Sequence, residues 1–247
     1  MELKILSFNI RCANDSDGHS IEERAPRVGQ ILRDYSPDVA GMQEFRPKWE
    51  PHWHSVVNED YDQWIVDRGD GEGNVLLWRK DRFDALKKGR FWFADDPDTP
   101  STEWDEKYHK PRICAYVVLQ DRETGKAFTY MNVHYGFGVD GHIKNAQLMC
   151  KYSQKLGNYP VIISGDFNMT PDTPGYIAMA ERFADVNRAT DNLAIHTFHG
   201  YGKEPGRTLD YCFVSDSVEP VSYEVVTRTF DGKYPSDHHA ICVGVRL

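Results

Sequence analysis

The sequence predicts an α/β fold with substantial antiparallel pairing, and three observations lead to that class. Short runs of β-branched and other apolar residues recur along the 247-residue chain, as strands require. Between some of them lie segments whose apolar residues repeat at helical spacing. Other runs follow one another across short turns, as the strands of a hairpin do. The resulting order is strand, helix, strand, hairpins, helix, strand, helix, strand, which favours mixed sheets.

The first elements are a strand, a helix and a second strand. Residues 3–9 predict the first strand, and residues 39–43 predict the second, which reads as fully buried. Between them, Pro26 indicates the start of the main helix, although Ser20 and Glu23 already have the spacing of a capping box. A strand, helix, strand opening places the two strand ends side by side if the strands are parallel, and a mixed sheet allows the same.

The remaining elements follow the same two periodicities. Strands are predicted at residues 63–67, 75–79, 84–93, 209–214 and 241–246, a hairpin at 113–133, and helices at 141–156 and 174–184.

The strand at residues 161–168 has the clearest chemical content, because an apolar run ends in Gly165, Asp166 and Asn168. Residues two apart on a strand point the same way, so Asp166 and Asn168 face one cleft if pairing continues to the end. Gly165 allows a ligand or another backbone to come close. Gly, Asp and Asn also favour plain turns, which is the competing interpretation. The recurrence of this pattern at five other strand ends favours a functional site.

Composition limits the class of protein. Residues 1–247 contain no linker, repeat or charge block, so we expect a single domain. The first residues lack the pattern of a signal peptide and no apolar run reaches membrane-spanning length, so we expect a cytoplasmic protein. The five cysteines show no C-x-x-C pair, which argues against a disulfide framework and a thiolate zinc site. The formal charge of −9 argues against extended duplex DNA as a substrate.

The polar residues at the strand ends form a chemically consistent set of carboxylates, amides and imidazoles. They are Asn9, Glu44, His134, Asp166, Asn168, Asp210, Asp237 and His238. Hard oxygen donors with few histidines suit Mg²⁺ or Mn²⁺, which we predict as the cofactor. Taken alone, Glu44 is more often a solvated glutamate just past a strand, and His134 is more often a satisfied structural histidine.

The motifs around these residues resemble, in order, those of the endonuclease/exonuclease/phosphatase superfamily, whose members include pancreatic deoxyribonuclease. The matching segments are Ser7-Phe8-Asn9-Ile10-Arg11, Met42-Gln43-Glu44, Asn132-Val133-His134, Ser164-Gly165-Asp166-Phe167-Asn168, Leu209-Asp210-Tyr211 and Ser236-Asp237-His238. The resemblance implies a four-layer α/β/β/α sandwich, in which two mixed sheets pack face to face with helices outside. It also implies metal-assisted attack of water on a phosphoester.

The resemblance also implies a role for each residue on the metal side. Glu44 is the principal metal ligand, Asn9 stands beside it, and Asp237 is a further metal-side carboxylate. Asp166 and Asn168 orient the attacking water and a phosphate oxygen.

On the other side, the resemblance implies that His238 pairs with Asp210 and that His134 contacts the phosphate as an acid or an electrostatic clamp. Whether His238 or Asp166 takes the proton from water stays open. Glu72 resembles a glutamate that orients the histidine at position 134, although this is a single-residue match.

Two departures from the family pattern bear on the substrate. Arg11 stands where apurinic endonucleases carry a second acidic ligand, and it resembles a phosphate-contacting arginine. Residues 135–138 form a glycine and aromatic loop that differs from the common sequence. We predict that Arg11 and Arg112 bind the substrate together with Asn168 and His134.

The leading hypothesis is a monomeric Mg²⁺-dependent phosphoesterase for a small or single-stranded substrate, with an aromatic rim formed by Trp92, Trp104, Tyr135 and Phe198. A nuclease acting on DNA or RNA is the alternative within the enzyme class. A non-catalytic binding module on the same fold and a zinc hydrolase using His238 and His239 are the remaining hypotheses.

Overall fold

Two sheets form the centre of the computed structural model, which describes residues 1–190 and 195–247, and each sheet has six strands within those ranges. In chain order the strands are β1 (Glu2–Asn9), β2 (Val39–Phe45), β3 (Tyr61–Asp67), β4 (Gly73–Arg79), β5 (Phe83–Trp92), β6 (Ile113–Asp121), β7 (Ala127–His134), β8 (Val161–Asp166), β9 (Ala184–Asp185), β10 (Asp210–Val214), β11 (Glu219–Val226) and β12 (Ala240–Arg246). The helices are α1 (Ile21–Tyr35), α2 (Val139–Lys155), α3 (Pro174–Ala180) and α4 (Val186–Ala189), with 3₁₀ segments at Pro47–Ser55 and Gly200–Gly202.

The strand order is β11-β12-β1-β2-β4-β3 in the first sheet and β5-β6-β7-β8-β10-β9 in the second. The pairs β1 with β2 and β7 with β8 are parallel, while their other neighbours run antiparallel, so both sheets are mixed. One apolar core lies between the sheets, a second joins α1 to the outer face of the first sheet, and a third joins α2 and α3 to the second sheet. The predicted four-layer α/β/β/α sandwich is therefore confirmed.

The core between the sheets consists of branched side chains that alternate along the strands. Ile5, Val117, Ile162 and Val243 are among its fully buried members. Each such side chain stabilises the fold by about 1.5–3 kcal/mol relative to an exposed position. Within the described ranges, no helix is both long enough and apolar enough to cross a bilayer.

The sequence analysis predicted that the first helix starts at Pro26, but α1 begins five residues earlier, at Ile21. The reason is a complete capping box, in which Ser20 Oγ accepts from the Glu23 N–H and Glu23 Oε2 accepts from the Ser20 N–H. This arrangement satisfies donors of the first turn, so the helix tolerates Pro26 in its interior at the loss of one internal hydrogen bond.

Two other predictions of elements were incomplete. Strand β11 was missed because it is an edge strand with mostly exposed residues, so it lacks the apolar run of a buried strand. The helix predicted at 174–184 ends at Ala180 instead, because Asp185 pairs with Phe213 in β10 and the chain must extend to reach it.

The parallel pairs bring the chemically important strand ends to one edge of the sandwich. Asn9 lies beside Gln43, and His134 lies beside Asp166, while Asp210 begins β10 directly opposite Asp166. At Gly165 (φ 151°) a Cβ would lie 2.0 Å from the carbonyl oxygen of Val133. The sequence analysis expected either a ligand or another backbone to lie close to Gly165. In the structure it is the backbone of the neighbouring strand β7 that does so.

Candidate active site

A cleft of about 610 Å³ opens at this edge, between the loops that follow the central strands of both sheets. Most of the predicted site residues line it, namely Arg11, Glu44, Arg112, His134, Asp166, Asn168, Asp237 and His238. Asn9 and Asp210 are buried behind the wall of the cleft, where Asn9 contacts Asp166 and Asp210 contacts His238.

Asn9 joins the two sheets at the floor of the cleft. Its Nδ2 donates to Glu44 Oε1 at 3.0 Å and to Asp166 Oδ2 at 2.9 Å, while its Oδ1 accepts from the Arg11 N–H at 3.0 Å. The reverse amide orientation would set its oxygen against two carboxylates, so these partners fix the orientation. Asn9 therefore offers donors, and not its oxygen, toward the carboxylates.

The Glu44 carboxylate is ionised in this setting. Burial alone would raise the pKa of Glu44, but the Cys12 N–H, which donates to Oε2 at 2.8 Å, and the Asn9 amide, which donates to Oε1, help to hold it well below its usual range. A carboxylate kept charged at the floor of a cleft can bind a cation directly.

Three residues of the cleft adopt the left-handed backbone conformation without being glycine. They are Arg11 (φ 61°), Glu44 (φ 67°) and Asn168 (φ 49°). At Glu44 the conformation accompanies a shift of register between β2 and β4 after Met42, which ends the regular alternation of the strand. Non-glycine residues in this region are uncommon and cluster at functional sites.

Asn168 reaches the cleft by a different route from the one predicted. The pairing of β8 ends at Asp166, so strand alternation does not orient Asn168. The left-handed turn at Asn168 does so, and it is held by its N–H donating to Asp166 Oδ1 at 2.9 Å and by its Nδ2 donating to the Tyr135 carbonyl at 3.0 Å.

His238 lies between two carboxylates. Its Nδ1 is 2.8 Å from Asp210 Oδ2, and its Nε2 is 3.8 Å from Asp166 Oδ2. Burial alone would lower the pKa of His238, but Asp210 and Asp166 raise it to about 10. Ligand atoms of these three residues lie within 4.8 Å of one another, which is a spacing that could hold a metal. A protonated imidazole has no free lone pair for a metal, so we interpret the trio as a chain of groups that exchange a proton.

His134 is held by a carboxylate on one side and a guanidinium on the other. Its Nδ1 lies 3.5 Å from Glu72 Oε1, and its Nε2 lies 2.9 Å from Arg112 Nη1. Because a guanidinium only donates, Nε2 must accept and the proton belongs on Nδ1, facing Glu72. Asp105 anchors this Arg112, with its Oδ2 accepting from Nε and lying 3.0 Å from Nη2.

Glu72 lies beside His134, as the resemblance implied, but sequence reasoning missed the arginines that hold Glu72. Glu72 also accepts from Arg46 at 3.0 Å and from Arg68, and both arginines line the cleft with Cys12. Sequence reasoning likewise gave Asp105 no role in the site. These residues stand in irregular loops, where neither strand nor helix periodicity marks a side chain as facing the cleft.

The aromatic rim differs from the predicted one. Trp92, Trp104 and Tyr135 are buried in the cores, and Trp92 donates from Nε1 to the Arg68 carbonyl at 2.8 Å. Only Phe198 of the four lines the cleft. The other aromatic side chains there are Tyr108 and Phe137, at the same wall as Lys107 and Lys110.

The donor set of the cleft fits a hard divalent cation. Burial raises the pKa of Asp166, and Asp210 adds to this rise. Burial likewise raises the pKa of Asp237, with Glu44 adding to it, although Arg11 Nε lies 3.6 Å from its Oδ2. Burial, more than repulsion between the carboxylates, therefore raises these two pKa values, and bound Mg²⁺ or Mn²⁺ would favour the charged carboxylates that burial disfavours.

His238 and His239 do not face a common site, as a zinc centre that uses both would require. The His239 ring stacks on His199 with centroids 4.0 Å apart, and burial lowers the pKa of His239 to about 4. His239 thus packs against another histidine, while His238 faces carboxylates.

Comparison with solved structures yields full-length matches. An endonuclease/exonuclease/phosphatase family protein from Bacteroides thetaiotaomicron is 28% identical with a TM-score of 0.91, over 99% of this chain and 95% of that one. A mannosyl-6-phosphatase from the same bacterium is 29% identical with a TM-score of 0.90, over 99% of this chain and 100% of that one.

Comparison with curated sequences yields more distant and much longer proteins. The uncharacterized protein R895 of Acanthamoeba polyphaga mimivirus is 22% identical over 82% of this chain. The chain spans 36% and 34% of the length of the curated relatives it matches. The sequence profile of the Endonuclease/Exonuclease/phosphatase family, in contrast, matches residues 6–238, from the first strand to the second histidine of the cleft. This chain belongs to the endonuclease/exonuclease/phosphatase family.

Proposed function

We propose that the chain is a Mg²⁺-dependent phosphomonoesterase that acts on a small phosphorylated sugar. The observation that carries the proposal is the cleft, which combines carboxylates and carboxylate-held imidazoles at its floor with arginines and lysines on its walls. The family consists of hydrolases of phosphoesters. The full-length likeness to a mannosyl-6-phosphatase supports a sugar as the alcohol component.

In this proposal Glu44 holds the metal, with Asp237 beside it. Asn9 positions Glu44 and Asp166, because its NH₂ group faces both carboxylates. When bound, Mg²⁺ supplies positive charge that neutralises the phosphate and stabilises the negative charge developing in the transition state. Mn²⁺ has similar ligand preferences and should substitute.

Water is activated on the side of the cleft where Asp166 meets His238. Asp166 and Asn168 orient the water, and the Asp166 carboxylate accepts its proton beside the protonated His238. Asp210 fixes the His238 ring through Nδ1, so that Nε2 faces Asp166 and the cleft. A positioned acid or base of this kind typically contributes about 10²–10⁴-fold to the rate.

The phosphate oxygens are bound by Arg112 and Arg11, while His134 positions the Arg112 guanidinium by accepting from it at Nε2. Arg112 is almost fully buried and held by Asp105, so its guanidinium requires little further ordering when a phosphate arrives. Preorganised donors of this type stabilise a transition state without reorganising during the reaction.

The charge distribution favours a compact substrate. Cationic side chains gather in the cleft, namely Arg11, Arg46, Arg68, Lys107, Lys110, Arg112 and Arg207. The whole chain, however, carries a formal charge of −9. Long nucleic acid is usually held by contacts to many phosphates, whereas such a cleft attracts a single anionic group.

A substrate panel tests the proposal. Purified protein is assayed with Mg²⁺, with Mn²⁺ and with chelator on mannose 6-phosphate, glucose 6-phosphate, inositol phosphates, nucleoside monophosphates and short oligonucleotides. We expect the sugar phosphates to have the highest kcat/KM. In Glu44→Gln, the Mg²⁺ concentration that gives half-maximal activity should be at least about tenfold higher than in the wild type. Glu59→Gln is the matched control on an exposed loop and should behave as wild type.

The alternatives each give a distinct result. Activity that persists in chelator would reject the metal-dependent mechanism. Faster cleavage of oligonucleotides than of sugar phosphates would make the protein a nuclease, and phosphate binding without turnover on any ester would indicate a non-catalytic module.

A further inference from the structure

The segment of residues 104–106 docks against three glycines of the chain that follows β7. A Cβ at Gly136 would lie 2.7 Å from the Asp105 Cβ, and one at Gly141 would lie 2.1 Å from the carbonyl oxygen of residue 104. A Cβ at Gly138 would meet the side chain of residue 106 at 2.2 Å. The glycine and aromatic sequence after His134 is therefore explained by close packing, because any larger residue would push this segment out of the cleft wall.

Asp105 locks the same two segments together. It is buried, and its Oδ1 accepts from the N–H groups of Tyr108 at 3.1 Å and Phe137 at 3.2 Å. Its Oδ2 accepts from Arg112 Nε at 3.0 Å. One carboxylate thus fixes both the phosphate-side guanidinium and the aromatic residues farther up the wall, so their separation is set before a substrate binds.

The exposed face of this wall combines aromatic rings with cations. Tyr108 is half exposed and meets Phe137 edge to face at 5.1 Å. Lys107 Nζ lies 4.7 Å from the Tyr108 centroid and 4.9 Å from that of Phe137. Across the cleft, Arg207 lies in the same way over Phe198, at 4.8 Å.

We propose that Lys107, Tyr108 and Phe137 form the subsite for the part of the substrate beyond the phosphate, and that its occupant is a monosaccharide ring. The assignment rests on the proposed function and deepens it. The rings offer an apolar surface to the C–H face of a sugar, while Lys107 can donate to its hydroxyls. A sugar ring, with apolar C–H groups and many hydroxyls, matches this combination of aromatic rings and a cationic donor.

The test separates the subsite from the phosphate site. KM for mannose 6-phosphate reports both, whereas the inhibition constant of inorganic phosphate reports the floor of the cleft alone. We expect Tyr108→Ala to raise KM about five- to tenfold and Lys107→Met to raise it about threefold, with little change in kcat or in the inhibition constant. Tyr159→Ala, at another exposed tyrosine outside the cleft, is the control and should leave both constants unchanged.

Each other outcome has a defined meaning. An unchanged KM in both variants, or a parallel rise of KM and the inhibition constant, would overturn the subsite. A larger rise in KM for a nucleoside 5′-monophosphate than for mannose 6-phosphate would overturn the sugar assignment. If mannose 6-phosphate binds by calorimetry but is not hydrolysed, the proposed function fails, and the same variants then test the subsite through the dissociation constant.

Discussion

Arg24 provides the sharpest test of how the structure holds the loop that carries Arg11. Its side chain is fully buried, and its guanidinium donates to four carbonyl groups of the loop at residues 10–19. The acceptors include Ala13 at 2.6 Å and His19 at 2.8 Å. The guanidinium also lies 5.1 Å from the Trp49 ring. The loop therefore wraps around one cation that is solvated by backbone oxygens.

The substitution Arg24→Met keeps the unbranched apolar stem of the side chain and removes every donor. The contacts to Ile10 and His19 are fully buried. The Ile10 carbonyl loses its partner without gaining water, whereas the His19 carbonyl keeps a bond from the Asp15 N–H at 3.2 Å. A buried unsatisfied acceptor costs about 1–3 kcal/mol, so we expect the free energy of unfolding to fall by about 2 kcal/mol.

Urea denaturation followed by tryptophan fluorescence measures this change. Arg33→Met on the same helix is the control, because Arg33 is exposed and its loss should change stability by less than about 0.5 kcal/mol. We also expect weaker activity in Arg24→Met, since the displaced loop carries Arg11 and the Cys12 N–H that binds Glu44. A loss of stability no larger than that of Arg33→Met would refute the account of the loop.

Three further predictions concern the site and the fold beneath it. Asp210→Asn and His238→Ala should be strongly non-additive in kcat/KM, because both remove one interaction, and multiplicative losses would show that they act separately. The apparent affinity for oligonucleotides should depend weakly on salt, and a log–log slope of several units would indicate long nucleic acid as the substrate. Gly165→Ala should lower the melting temperature markedly, since its Cβ would lie 2.0 Å from the Val133 oxygen, and an unchanged melting curve would contradict the strand geometry.

The fold class and the place of the site follow from the sequence because both depend on patterns that are local. Apolar runs mark the buried strands, and the polar residue that ends each run marks the edge where the cleft lies. Parallel pairing of β1 with β2 then brings Asn9 near Glu44, as the strand, helix, strand order indicated.

Other features depend on contacts between distant segments, which no window of sequence contains. Arg112 meets His134, and Arg46 braces Glu72, only because segments 22 and 26 residues apart meet at the sheet edge. The sequence of a loop likewise does not show whether an aromatic side chain packs into the core or faces solvent. Tyr135 was therefore predicted to lie on the rim, although it is fully buried. Asn168 shows the same limit on a smaller scale, because one left-handed residue replaces the alternation that had oriented it.

The left-handed residues of the cleft have a consequence for the choice of residue at their positions. Glu44, Arg11 and Asn168 each hold a conformation that costs a side chain about 1–2 kcal/mol and costs glycine almost nothing. Glycine at these positions would relieve this cost, and it would also remove the side chains that we propose hold the metal, the water and the phosphate. The proposed function therefore requires residues that the backbone conformation at these positions disfavours.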